Sequence, residues 1–76
     1  MIYVMPLAEP IANTWGHRLK VLRVNAGLTQ AELGAAVGIK QGTVARYESG
    51  DRTPPDEMRA KLADALGADP ADVFQW

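Results

Sequence analysis

The segment T-Q-A-E-L-G-A-A-V-G-I-K-Q-G-T-V-A-R-Y-E-S-G, Thr29 to Gly50, decides how the rest of the chain is read. It opens on a capping box: the Thr29 hydroxyl accepts from the Glu32 amide while the Glu32 side chain reaches back. Leu33 and Val37 then form the inner face of a short helix. Gly38 follows as a residue suited to the left-handed conformation just past a helix end. After Ile39, a second helical stretch from about Lys40 to Ser49 turns Val44, Tyr47 and Glu48 inward. Its other face carries Lys40, Gln41, Thr43 and Arg46, so the segment reads as two short helices joined by a tight turn.

The same punctuation extends outward. Gly27, Gly50 and Gly67, like Gly38, each follow a stretch with helical apolar spacing. Ahead of the segment, about Thr14 to Ala26, Trp15, Leu19, Leu22 and Ala26 recur at i, i+4, i+7 and i+11, with Arg18, Lys20, Arg23 and Asn25 elsewhere. Behind it, a loop through Arg52, Thr53, Pro54 and Pro55 leads to a fourth helix. The prolines suit its start, Asp56 and Glu57 complement its positive end, and Met58, Leu62, Ala65 and Leu66 supply its stripe. Asp69, Pro70 and Asp72 open a very short fifth helix carrying Val73, Phe74 and Trp76. The expectation is an all-α, compact five-helix domain over 14–76. Residues 1–13 form an extended N-terminal tail, in which Ile2, Tyr3 and Val4 make either one short strand or a frayed terminus.

Composition narrows the class. The chain has 76 residues, no cysteine and a formal charge of -1, which leaves room for one small domain without disulfides or thiolate metal sites. Twelve alanines against five aromatic residues favour closely packed helices over strands. No apolar run approaches the ~20 residues of a membrane span, and the apolar start lacks a basic leader, so a cytoplasmic protein is expected. His17 is the single histidine, so no metal, cofactor or histidine-dependent catalysis is expected. Asp56 and Glu57 are better explained by the helix dipole than as a catalytic pair, and an enzyme is not expected.

The order of residues from Thr29 to Gly50 resembles the helix-turn-helix of the phage repressor and Cro family, the XRE-type regulators. The resemblance covers about Trp15 to Trp76 and includes the four glycines and the closing D-P-A-D-V-F. It implies a lambda-repressor-like DNA-binding domain whose second motif helix enters the major groove with its N-terminal residues at the base edges. Small residues are needed where the motif helices cross, a need that Gly34, Ala35 and Ala36 meet; the family usually has alanine where Gly34 stands. By the same resemblance Gln30, with Thr29 capping that helix end, contacts a phosphate. Gln41 reads a base, its amide suited to adenine, and Arg46 reaches guanine or a phosphate. Lys40 and Thr43 are flanking base contacts, and Arg52 and Thr53 resemble a second phosphate clamp, although a loop arginine can equally be just solvated. Gly42 departs from the pattern by offering no side chain where the family often reads bases. Arg23 and Glu48 match a buried ion pair of structural role.

The implied partner is double-stranded DNA, bound by a homodimer on a two-fold symmetric operator, with the chain acting as a repressor. In size it also resembles the controller proteins of restriction-modification systems. The alternative is an antitoxin or other protein-binding module that sequesters a partner protein such as a toxin. The dimer surface is left between the N-terminal tail and the Val73, Phe74, Trp76 end, where the aromatic cluster is either core or contact. The near-zero charge is a sum of unlike regions. Residues 1–46 hold five Lys and Arg against Glu9 and Glu32, a balance of +3, and residues 47–76 hold three against seven acids, a balance of -4. Such a chain makes few phosphate contacts per subunit and depends on a dimer for useful affinity.

Overall fold

The computed structural model describes residues 14–74, and within them five α-helices follow in order: α1 Thr14–Asn25, α2 Gln30–Val37, α3 Gln41–Ser49, α4 Asp56–Ala65 and α5 Pro70–Phe74. The tail of residues 1–13, with the Ile2 to Val4 strand expectation, and Trp76 lie outside the described residues. Among the described residues there is no strand, and no helix is long and apolar enough to cross a membrane.

The helix ends form where the local chemistry places them. Thr29 caps α2: its hydroxyl accepts from the Glu32 amide at 3.0 Å, and the Glu32 carboxylate accepts from the Thr29 amide at 2.9 Å. Gly38 closes α2 at φ 79°, a conformation that side chains disfavour, and lets the Ile39 amide donate back to the Gly34 carbonyl at 2.8 Å. The other three punctuating glycines, 27, 50 and 67, also have positive φ. Asp69 accepts from the Ala71 amide at 2.9 Å and starts α5 at Pro70.

Packing gathers Trp15 and Leu19 of α1, Leu33 of α2, Val44 and Tyr47 of α3, Leu62 and Ala63 of α4, and Val73 and Phe74 of α5 into one core. The Trp15 and Phe74 rings lie 5.7 Å apart in a tilted arrangement. Val73 and Phe74 are therefore core residues, which resolves the alternative left open for these two. Arg18 ties α1 to α5 by donating to the Val73 carbonyl at 3.1 Å. Arg59 of α4 donates to the Pro54 carbonyl at 3.0 Å and stacks its guanidinium over Phe74 at 5.8 Å. With Pro54 fully buried, the loop after α3 is anchored at its far end.

Several expected core positions lie elsewhere. Ala26 is exposed because α1 ends at Asn25 and turns away before another inward position is reached. On α4 the buried alanine is Ala63 rather than Ala65, since the stripe is rotated toward Arg59 and α5. Of Gly34, Ala35 and Ala36 only Gly34 is buried; the next two residues rotate ~100° and ~200° around the helix and face outward.

Two glycines are set by close backbone approach. A Cβ at Gly34 would lie 2.6 Å from the Ile39 carbonyl oxygen, and one at Gly16 would collide with the Tyr47 and Glu48 carbonyls at the end of α3. A Cβ at Gly42 would meet nothing within 4 Å. In denaturant titrations of the free protein, Gly16→Ala should therefore lose about 1 to 3 kcal/mol through overpacking. Gly42→Ala should instead gain up to about 1 kcal/mol from helix propensity.

Candidate nucleic-acid interface

The outer face of α3 is held by a polar chain that begins in the core. Arg23 donates through Nε to Glu48 Oε2 at 2.6 Å, through Nη2 to Glu48 Oε1 at 3.2 Å, and through Nη1 to the Leu28 carbonyl at 2.8 Å. Both side chains are almost fully buried. The fork geometry satisfies both carboxylate oxygens, which a buried charge requires. Glu48 Oε1 also accepts from Gln30 Nε2 at 3.0 Å, and Gln30 Oε1 accepts from Gln41 Nε2 at 3.4 Å. The chain thus runs from α1 through α3 to the first residue of α2 and out to the first residue of α3. Among the described residues no buried side-chain nitrogen or oxygen lacks a partner.

A second group forms beside it. Lys40, Gly42, Thr43, Arg46 and Arg52 line one shallow concavity of ≈ 240 Å³. Arg52 reaches it because the loop folds back on α3: the amides of Asp51 and Arg52 both donate to the Arg46 carbonyl, at 2.9 and 3.2 Å. Three cations and no acid line this hollow, and Gly42 leaves it open. Lys40 is the N-cap of α3 and makes no side-chain cap bond there.

The site residues expected from sequence fall into these two groups, with two at the margins. Gln30 and Gln41 belong to the polar chain, while Lys40, Thr43, Arg46 and Arg52 surround the hollow. Lys40, Gln41, Arg46 and Arg52 are exposed, and Gln30 and Thr43 are half-buried. Thr29 is exposed at the α2 terminus with its hydroxyl engaged by the Glu32 amide, and Thr53 is exposed in the loop without lining the hollow. Sequence reasoning found the Arg23 and Glu48 pair but not its extension to Gln30, because a residue spacing of 18 carries no local signal.

The helix pair, its tight glycine turn and the polar outer face define a helix-turn-helix protein. The chain belongs to the helix-turn-helix domain family, which matches residues 15–76, and it is an XRE-type transcriptional regulator. Among curated proteins it is 36% identical over 58 residues to the uncharacterized HTH-type transcriptional regulator YgzD of Bacillus subtilis, covering 76% of this chain and 88% of the relative. Among solved structures it is similar to the restriction-modification controller protein C.AhdI from Aeromonas hydrophila, at 33% identity and TM-score 0.78, covering 83% of this chain and 96% of that one. It is also similar to the P22 c2 repressor solved in complex with a synthetic operator, at 26% identity and TM-score 0.78, covering 80% of this chain and 92% of that one.

The buried pair gives a direct stability test. Arg23→Leu alone strands the Glu48 carboxylate in the interior and should lower unfolding free energy by about 3 to 5 kcal/mol in chemical denaturation. Arg23→Leu with Glu48→Leu removes both charges and should be the more stable of the two variants.

Proposed function

We propose that the chain is a sequence-specific DNA-binding repressor that acts in the cytoplasm as a homodimer on a two-fold symmetric operator. Each subunit lays α3 in a major groove, the two grooves lying about 34 Å apart on one face of the duplex. Gln41 reads adenine through its amide, and Arg46 reaches guanine or an adjacent phosphate. Lys40 and Thr43 contact flanking base edges. Gln30 and Thr29 at the start of α2 hold one phosphate, and Arg52 with Thr53 holds another. Repression follows from occupancy, the operator overlapping the site that polymerase needs.

The observation that carries this reading is the hollow bearing Lys40, Arg46 and Arg52 next to the tethered Gln41 on the exposed side of α3. Cations gathered without a neutralising acid suit a polyanion, and an amide held by a hydrogen bond suits bidentate base recognition. The similarity to the P22 c2 repressor in complex with operator, and to a controller protein, supports the same reading.

A mobility shift on a site selected in vitro tests it. Gln41→Ala and Arg46→Ala should each lose about 1 to 3 kcal/mol of affinity for the selected site and discriminate less among related sites. Arg52→Ala should weaken binding evenly across sequences and reduce the salt slope by about 1. Wild-type affinity in the Gln41 and Arg46 variants would contradict the assigned reading face.

A further inference from the structure

Of the chain's seven glycines, all but one have a reason in the free fold. Gly16 and Gly34 lie against neighbouring backbone, and Gly27, Gly38, Gly50 and Gly67 have positive φ. Gly42, the second residue of α3, has neither: it is exposed, its φ is not positive, and a Cβ built on it would meet nothing within 4 Å. Glycine also weakens a helix relative to alanine, so the free protein loses stability by having it there. The space beside Gly42 is the hollow lined by Lys40, Thr43, Arg46 and Arg52.

We infer that Gly42 is a specificity-determining residue whose missing side chain opens a seat for the major-groove edge of a guanine, an assignment that rests on the DNA-reading face proposed above. The lining decides the base. Lys40, Arg46 and Arg52 carry hydrogen-bond donors and no acceptor, and the Thr43 hydroxyl serves either way. Guanine turns two acceptors, O6 and N7, into the major groove and no donor. Adenine and cytosine each present an amine there, which cations cannot accept from, and thymine presents one acceptor beside a methyl. Position fits the same base. Arg46 lies four residues beyond Gly42, and helix side chains lean toward the preceding turn, so its guanidinium passes over residue 42 on the way to the groove. Any side chain at 42 stands in that path and holds α3 off the base. The first turn of a recognition helix faces base edges, whereas Arg52 enters from the loop, where a phosphate of the backbone runs. Gln41, with both a donor and an acceptor, suits adenine, so the two neighbouring positions have opposite demands.

Duplexes selected from a random pool by wild type, remade with single guanines replaced by 7-deazaguanine, test the seat by fluorescence anisotropy. The replacement keeps base pairing and removes the N7 acceptor. At one guanine of the selected site it should weaken wild-type binding about fivefold or more, whereas Gly42→Leu should bind the two duplexes alike. Gly42→Ala, whose Cβ is unopposed in the free protein, should be fully helical by circular dichroism and show a sensitivity between these two. If Gly42→Leu does not fold, Gly42→Ala decides. A selected motif without guanine, wild type indifferent to every 7-deazaguanine, or undiminished sensitivity in the folded Gly42 variants would overturn the seat. Indifference to 7-deazaguanine with affinity lost on methylphosphonate substitution would make the occupant a backbone phosphate, and would overturn it equally. In each of these cases an enriched motif leaves the sequence-specific reading standing; a pool in which no site is enriched overturns that reading as well.

Discussion

A guanidinium and a carboxylate taken out of water together hold α1 against the end of α3. Arg23 and Glu48 meet in a near-ideal fork, and the pair is buried where Gly16 allows the α1 backbone to approach the last turn of α3. Removing either partner leaves an uncompensated charge, so the two helices cannot separate cheaply. A buried pair of this kind adds little net stability compared with apolar residues of similar volume; its contribution here is position. Through Gln30 the same carboxylate fixes the start of α2, and through Gln41 it reaches the surface.

This arrangement explains how a thin core supports a defined polar outer face on α3. The α2–α3 turn is set by Gly38 and by the contact at Gly34 that admits no Cβ, so the angle between the two helices is fixed by backbone against backbone. On the far side, Pro54 and Arg59 anchor the loop that carries Arg52 back to α3. The chain's charge is distributed to match: cations line the hollow on α3, while α4 and α5 open on Asp56, Glu57 and Asp72. A total of -1 therefore coexists with a locally cationic surface.

Much of this was legible in the sequence because its causes are local. The capping box at Thr29, the left-handed glycines and the Asp69 and Pro70 start of α5 each depend on residues a few positions apart, and all five helices follow from them. The Arg23 and Glu48 pairing was legible through family resemblance. What escaped depends on tertiary neighbours. Gly16 carries no signal until α3 lies against it, and Gln30 is a free amide until Glu48 is placed beside it. Ala63 replaces Ala65 because the rotation of α4 is decided by α5 and Arg59, not by its own apolar period. The exposure of Val21 and Val24 likewise appears only once the rest of α1 has been committed to the core.

The central claim is that the buried pair orients Gln41, the proposed reading side chain, through Gln30. Selection of sites from a random duplex pool by wild type, Gln41→Ala and Gln30→Ala tests it most directly. The account predicts that the base position whose preference is erased by Gln41→Ala is also degenerate in the pool selected by Gln30→Ala, although Gln41 is intact in that protein. A Gln30→Ala pool with the wild-type motif unchanged at that position would contradict it.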